Sequence, residues 1–247
     1  MFPFRDHNPT KNVPYVTISL IIINFIIMAH MFMLETSSQT SFEEFIWKFA
    51  FLPANLLKIG WGLSDIHSNL IVIGTMISSM FLHGGLSHII GNMLFLWIFG
   101  NNIEDIMGPF RFIIFYLLCG IIACLAQGFY SLHQGTGAAD IPMIGASGAI
   151  SGVLGAYLIK FPKAKIDTCI FAFFVFIVRL PAFLVLILWF LLQVVEQMVP
   201  IGDFEGVNQG GVAYLAHIGG FIAGMMLIKI FEKRKKTPPN RQEIIYY

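Results

Sequence analysis

Apolar stretches separated by short polar ones dominate the chain, and most are long enough to cross a bilayer. Residues 16–34, VTISLIIINFIIMAHMFML, contain no Lys, Arg, Asp or Glu. A crossing helix needs about 20 mostly apolar residues, so this stretch predicts a first span. Similar stretches at about 86–105, 111–130 and 143–160 predict a second, third and fourth. The run from Cys169 to Met198 is longer than one span needs, and Arg179-Leu180-Pro181 interrupts it. Proline is favoured at a helix start, so the fifth span is expected from near Pro181. The sixth is expected at about 211–231. Between the first and second lies a large loop, about 35–81. It mixes Glu35, Glu43, Glu44 and Asp65 with bulky apolar stretches such as FIWKFAFL, which predicts partial embedding in the membrane. The expected organisation is an N-terminal segment over 1–15, a membrane domain over 16–231 and a basic tail over 232–247. The fold class this predicts is an all-α bundle of six transmembrane helices.

Composition sharpens this picture. Charged residues make up 12% of the 247 and hydrophobic ones 57%, whereas a soluble domain is roughly 25% charged. A water-soluble globule has too few charges here to cover so much apolar surface. That excludes a soluble enzyme, a disordered protein and a nucleic-acid binder, and the net charge of +1 points to no polyanionic partner. Cys119, Cys124 and Cys169 are odd in number and lie in apolar runs, which argues for small hydrophobic fillers rather than a disulfide framework. The first apolar stretch lacks a small-residue cleavage site and is expected to be a retained span rather than a signal peptide. No internal repeat is visible, which weakens a transporter reading.

Lys and Arg set the orientation. With six spans, thirteen of them fall on the side that holds both termini and two, Lys48 and Lys58, on the other. Both termini are therefore expected in the cytosol, in a multi-pass protein of the cell membrane.

Polar side chains inside spans are costly and are candidates for function. Three groups stand out: His88 with Asn92 four residues on, Ser147 within Gly145-Ala146-Ser147-Gly148, and His217 within Ala216-His217-Ile218-Gly219-Gly220. Taken singly, a serine can bond its own helix backbone, and His or Asn can bridge neighbouring helices. Topology sets them apart. The second, fourth and sixth spans run in one direction, and each polar residue lies within about 10 Å of its span's start at 1.5 Å per residue. Small residues at Gly148, Gly152 and Ala156, and at Ala216, Gly220 and Gly224, predict close packing of the fourth and sixth helices. Such packing brings Ser147 within reach of His217. A base must take the proton of a serine hydroxyl before it attacks, and imidazole titrates near neutrality. Asn92, His88 and the Ser147 backbone N–H are candidate donors to an oxyanion. Asp140 is not aimed at His217 by anything in the sequence, so a Ser–His dyad is predicted. No H-E-x-x-H or third ligand suggests a zinc site, and no strand alternation surrounds the serine as an α/β-hydrolase would require.

These motifs together resemble the rhomboid family of intramembrane serine proteases. The likeness rests on His83-Gly84-Gly85-Leu86-Ser87-His88-Ile89-Ile90-Gly91-Asn92, Gly145-Ala146-Ser147-Gly148 and Ala216-His217-Ile218-Gly219-Gly220. Gly100, Glu104 and Gly108 add a G-x-x-x-E-x-x-x-G signature. The resemblance covers about residues 80–231. It implies cleavage of transmembrane protein substrates in the lipid bilayer, with no cofactor or metal. Ser147 would be the nucleophile, His217 the general base, and His88 and Asn92 the oxyanion stabilisers. Glu104 would be structural, and His83 would support the loop by the site. Some relatives carry a Tyr four residues after the serine that stacks on the base, but this chain has Ser151 there. Another group must then orient His217. The family's Trp-Arg pair in the first loop has only Trp47-Lys48 as a loose counterpart. The competing readings are an inactive rhomboid-like protein that binds transmembrane clients, and a small transporter with His88, Asn92 and His217 along a polar path.

Overall fold

The computed structural model describes residues 2–60, 62, 65–135, 137–171, 175–198 and 212–233. The basic tail beyond Lys233 lies outside these residues. The helices are α1 (Tyr15–Ser37), α2 (Gln39–Phe49), α3 (Ile66–Ser79), α4 (Leu86–Phe95), α5 (Asn101–Met107), α6 (Pro109–Gln134), α7 (Ser147–Lys160), α8 (Ala182–Met198) and α9 (Tyr214–Phe231). A π-helical turn, Leu96–Gly100, joins α4 to α5. Among the described residues, α1, α6 and α9 are long and apolar enough to cross a membrane. Their outward faces carry large apolar side chains such as Ile22, Ile26, Phe129 and Met226, a surface that water would not tolerate at this extent.

The all-α expectation needs correction. Strands β1 (Phe2–Asp6), β2 (Lys165–Phe171) and β3 (Val175–Pro181) form a three-stranded antiparallel sheet in the order β1-β2-β3. The apolar run before the fifth helix, too long for one span, is this hairpin. Ile166, Thr168, Ile170, Ile177 and Val178 supply β-branched side chains that favour a pleated surface. Helix α8 begins at Ala182, beside the expected Pro181. Asp167 on β2 accepts hydrogen bonds from His7 (2.6 Å) and Arg179 (2.9 Å), and these donors hold its carboxyl below the usual carboxylate range. Asp6 accepts from Asn102 of α5 (2.7 Å) and Tyr157 of α7 (3.1 Å), which pins the sheet to the bundle.

The fourth helix also differs from expectation. It starts at Ser147, not near 143, because Gly145 takes φ +125° and turns the chain just before it. The loop after α1 is largely helical, comprising α2, a short 3₁₀ turn over Pro53–Lys58, and α3.

Helix α7 is the centre of the fold. Every residue from Gly148 to Tyr157 is buried, as expected of a helix enclosed on all sides. Helices α6 and α9 flank it. Glycines set the spacing. A Cβ on Gly220 would collide with the carbonyl oxygen of Gly148, one on Gly224 with that of Gly152, and one on Gly155 with that of Phe221. The predicted ridges therefore meet backbone to backbone, with Gly155 joining them.

Glu104 fastens the start of α1. Pro14 precedes that helix and has no side chain able to cap it. The buried Glu104 carboxylate accepts instead from Val16 N–H (2.9 Å), Thr17 N–H (2.8 Å) and the Thr17 hydroxyl (2.8 Å). A Cβ on Gly100 would lie 3.2 Å from Thr17 Oγ1, so glycine there admits the threonine. Gly108, at φ +78°, turns the chain into α6. The G-x-x-x-E-x-x-x-G pattern is thus a helix-fastening device. Glu104→Ala will strand buried donors at about 1–3 kcal/mol of stability, seen as a lower thermal midpoint in detergent. Glu104→Gln, which keeps an acceptor, will lose less.

Candidate active site

Three helix starts converge. His88 and Asn92 lie one turn apart on α4, Ser147 opens α7, and His217 sits in the first turn of α9. The turn before α7 is held from two sides. Phe51 and Met143 exchange backbone hydrogen bonds of 3.1 and 2.8 Å, and Gly145 N–H donates to Ser79 O at 2.9 Å. A Cβ on Gly145 would lie 2.9 Å from His88 Nε2 and 3.6 Å from Ser147 Oγ. The His88 ring and the serine hydroxyl therefore face the same small space, open only because residue 145 has no side chain.

The α7–α9 seam sets the level of His217. A Cβ on Gly148 would lie 3.7 Å from Ala216 O and 3.8 Å from Ala216 Cβ. Gly148 follows Ser147 and Ala216 precedes His217, so the backbones that carry the two residues lie against each other. His88 and His217 are within electrostatic reach of each other. His217 is buried, and its Nδ1 makes a 2.6 Å hydrogen bond with Oε1 of Gln193 on α8. The Trp189 ring, one turn earlier on α8, lies 5.9 Å from the His217 ring at 36°, and Tyr214 meets that ring edge-on at 6.3 Å.

Unpaired donors face this part of the fold. The first N–H groups of α7 have no partner within the helix, and the helix dipole adds positive character there. Asn92 is buried, and its Nδ2 finds no acceptor among the described residues. An idle buried donor costs about 1–3 kcal/mol, which an acceptor bound there would offset. Asn92→Ala is expected to slow substrate turnover by about 10²-fold or less, given that a single oxyanion donor is worth roughly 10²–10³-fold. Ser147 should still label with a fluorophosphonate in that variant. Turnover equal to the parent across several substrates would reduce Asn92 to a packing residue.

His83 is buried with its ring edge-on to His88 at 5.0 Å, where it buttresses that histidine. Ser151 is not on His217. Its hydroxyl donates to Ser147 O at 2.6 Å within α7. Trp47 is exposed, and Lys48 lies over the Phe49 ring. Asp140 sits in a 3₁₀ turn, Ala138–Asp140, while Nδ1 of His217 is taken by Gln193. Sequence reasoning missed Gln193. The signal was there, because it is the one amide or charged side chain between Pro181 and Glu196, and intramembrane polar residues are costly.

Comparison with known proteins follows the same residues. A model of the rhomboid domain matches residues 72–234. The chain is 30% identical over 171 residues to "Rhomboid protein 1, mitochondrial" of Saccharomyces cerevisiae, covering 66% of this chain and 44% of that protein. It is 31% identical over 157 residues to "Rhomboid protease GluP" of Bacillus subtilis, covering 63% and 25%. It is 34% identical over 106 residues to "Presenilin-associated rhomboid-like protein, mitochondrial" of Homo sapiens, covering 43% and 27%. The matches thus span less than half the length of these relatives.

Proposed function

This chain belongs to the rhomboid family and is an integral membrane protein, and on that premise we propose that it is an intramembrane serine endopeptidase. Ser147 Oγ attacks the scissile carbonyl while His217 takes its proton. Asn92, His88 and the Ser147 N–H bind the oxyanion. Collapse of the tetrahedral intermediate passes the proton from His217 to the leaving amine and leaves an acyl-serine. Water, deprotonated by His217, then hydrolyses the ester and restores the hydroxyl. The observation that carries this reading is the paired glycine contact. Ser147 and His88 both border the space left by Gly145, and the backbone of α7 beside Ser147 lies against that of α9 beside His217 at Gly148 and Ala216, which supports a Ser147–His217 pair.

The chain crosses the membrane six times, with both termini on the cytosolic side of the cell membrane. The thirteen-to-two distribution of Lys and Arg supports that orientation. Helix α7 has 14 residues, about 21 Å at 1.5 Å per residue, against a hydrocarbon core of roughly 30 Å. With Lys160 at the cytosolic boundary, Ser147 lies beneath the outer one. A peptide bond inside an intact helix is shielded from such a serine. The substrate's transmembrane segment must therefore unwind locally where protein groups or water can replace its backbone bonds. Gly and Pro near the outer boundary lower that cost, by about 1 and 3 kcal/mol relative to Ala.

The test is to incubate purified protein, parent or Ser147→Ala, with single-span substrates and map the cut by mass spectrometry. Cleavage beside small residues near the outer boundary is expected for the parent alone, slowed when the helix-weakening residues become Leu. A cut at the cytosolic end, or one that persists in Ser147→Ala, would overturn the reading.

A further inference from the structure

Gln193 touches His217 at Nδ1, and the direction of that hydrogen bond is fixed by what an amide oxygen can do. We propose that Gln193 is a positioning residue that holds His217 in the tautomer able to accept the Ser147 proton. This rests on the protease reading above. Oε1 carries only lone pairs, so a 2.6 Å contact with Nδ1 requires the hydrogen to sit on Nδ1. A neutral imidazole has one N–H, so Nε2 is left with the free lone pair.

The surroundings reinforce that choice. Both partners are buried, and away from bulk water the opposite tautomer would set the Nδ1 lone pair against that of Oε1, costing more than the same mismatch in water. Trp189 and Gln193 are four residues apart on α8, so one helix face supplies both the ring beside the imidazole and the acceptor at its edge. Ser151, at the position where some relatives orient the base with a Tyr, spends its hydroxyl on Ser147 O. Gln193 does from α8 what this chain does not do from α7. Being neutral, it orients the ring without adding a charge to hold an imidazolium.

Among the described residues, the groups near His217 include Gln193 and Trp189 of α8, His88 of α4 and, on its own helix, Tyr214, which has Glu196 of α8 within electrostatic reach. Helix α6 presents Ala123 and Ala126 to the same stretch of α9.

The experiment uses the full chain in detergent, as parent, Gln193→Leu and Gln193→Glu. Side-chain ¹⁵N shifts of His217, assigned with His217→Ala, report the tautomer, and kcat and KM on a transmembrane peptide are followed against pH. The parent is expected to carry its proton on Nδ1, and Gln193→Leu to show a mixture. Gln193→Leu should lower kcat by at least about tenfold, short of the roughly 10⁴-fold loss when the charged partner of a soluble triad is neutralised. KM and the thermal midpoint should hold. Gln193→Glu restores an acceptor and should recover turnover, with the acid limb of kcat moved to higher pH because a carboxylate favours imidazolium. A parent proton found on Nε2, or a tautomer unchanged in Gln193→Leu, would overturn the proposal. So would Gln193→Glu behaving as Gln193→Leu in an active parent. The tautomer reading does not require turnover, so an inactive parent refutes the protease reading while the shifts still decide the role of Gln193.

Discussion

Ser147→Ala and His217→Ala are each expected to abolish cleavage, and the double substitution to be no worse than either. In the proposed mechanism the two residues act on one proton. Without the base, the hydroxyl of Ser147 is a poor nucleophile, and without the hydroxyl, His217 has nothing to activate. In a soluble serine protease, loss of either partner costs about as much as loss of the whole unit, roughly 10⁶-fold in turnover. The geometry gives the same expectation, since Gly145 and the Gly148–Ala216 contact bring these helix starts together. Product formation by quantitative mass spectrometry, with the four proteins matched for thermal midpoint, makes the comparison. Losses that multiply in the double variant would mean two independent roles and no dyad.

Gly220→Ala is expected to cost about a hundredfold in turnover, although it adds a single methyl group. That methyl would strike the carbonyl oxygen of Gly148, which is backbone and has no rotamer to move away. The helices must separate or shift along the seam. Gly148 adjoins Ser147, and Gly220 lies three residues after His217, so the shift passes straight to both of these residues. A displacement of about 1 Å can cost roughly 10²-fold, and the strain itself about 1–3 kcal/mol of stability. Gly74→Ala is the control, because a Cβ there meets nothing within 4 Å. The expected result is a folded, monodisperse Gly220→Ala protein with a lowered midpoint and little activity, beside an unaffected Gly74→Ala. Full activity in Gly220→Ala would show that the seam does not set the dyad.

What could be read from the sequence follows from which physical signals are one-dimensional. Apolar runs of bilayer length placed α1, α6 and α9 to within a few residues, since hydropathy accumulates along the chain. The same signal misplaced the start of α7. Met143 to Ala146 are apolar or small, and nothing in hydropathy reveals that Gly145 takes a positive φ and breaks the run. It also mistook the β2–β3 hairpin for surplus span, because Val and Ile suit a strand as well as an apolar helix. The candidate site residues stood out because His, Asn and Ser are rare and costly inside apolar runs, and helical spacing put them at the same ends. The G-x-x-x-E-x-x-x-G signature was visible too, but its purpose was not. Glu104 caps a helix that begins some 90 residues earlier in the chain, and such a pairing leaves no local trace. Gln193 was passed over for a similar reason, since its partner His217 lies 24 residues away on another helix.

If Ser147 is a nucleophile activated by His217, active-site labelling detects it without a natural substrate. Purified protein is treated with a fluorophosphonate, digested, and the adduct located by mass spectrometry. One adduct is expected, on the peptide that carries Ser147, with labelling lost in His217→Ala and in Ser147→Ala. An adduct elsewhere, no adduct on a folded parent, or undiminished labelling in His217→Ala would contradict it.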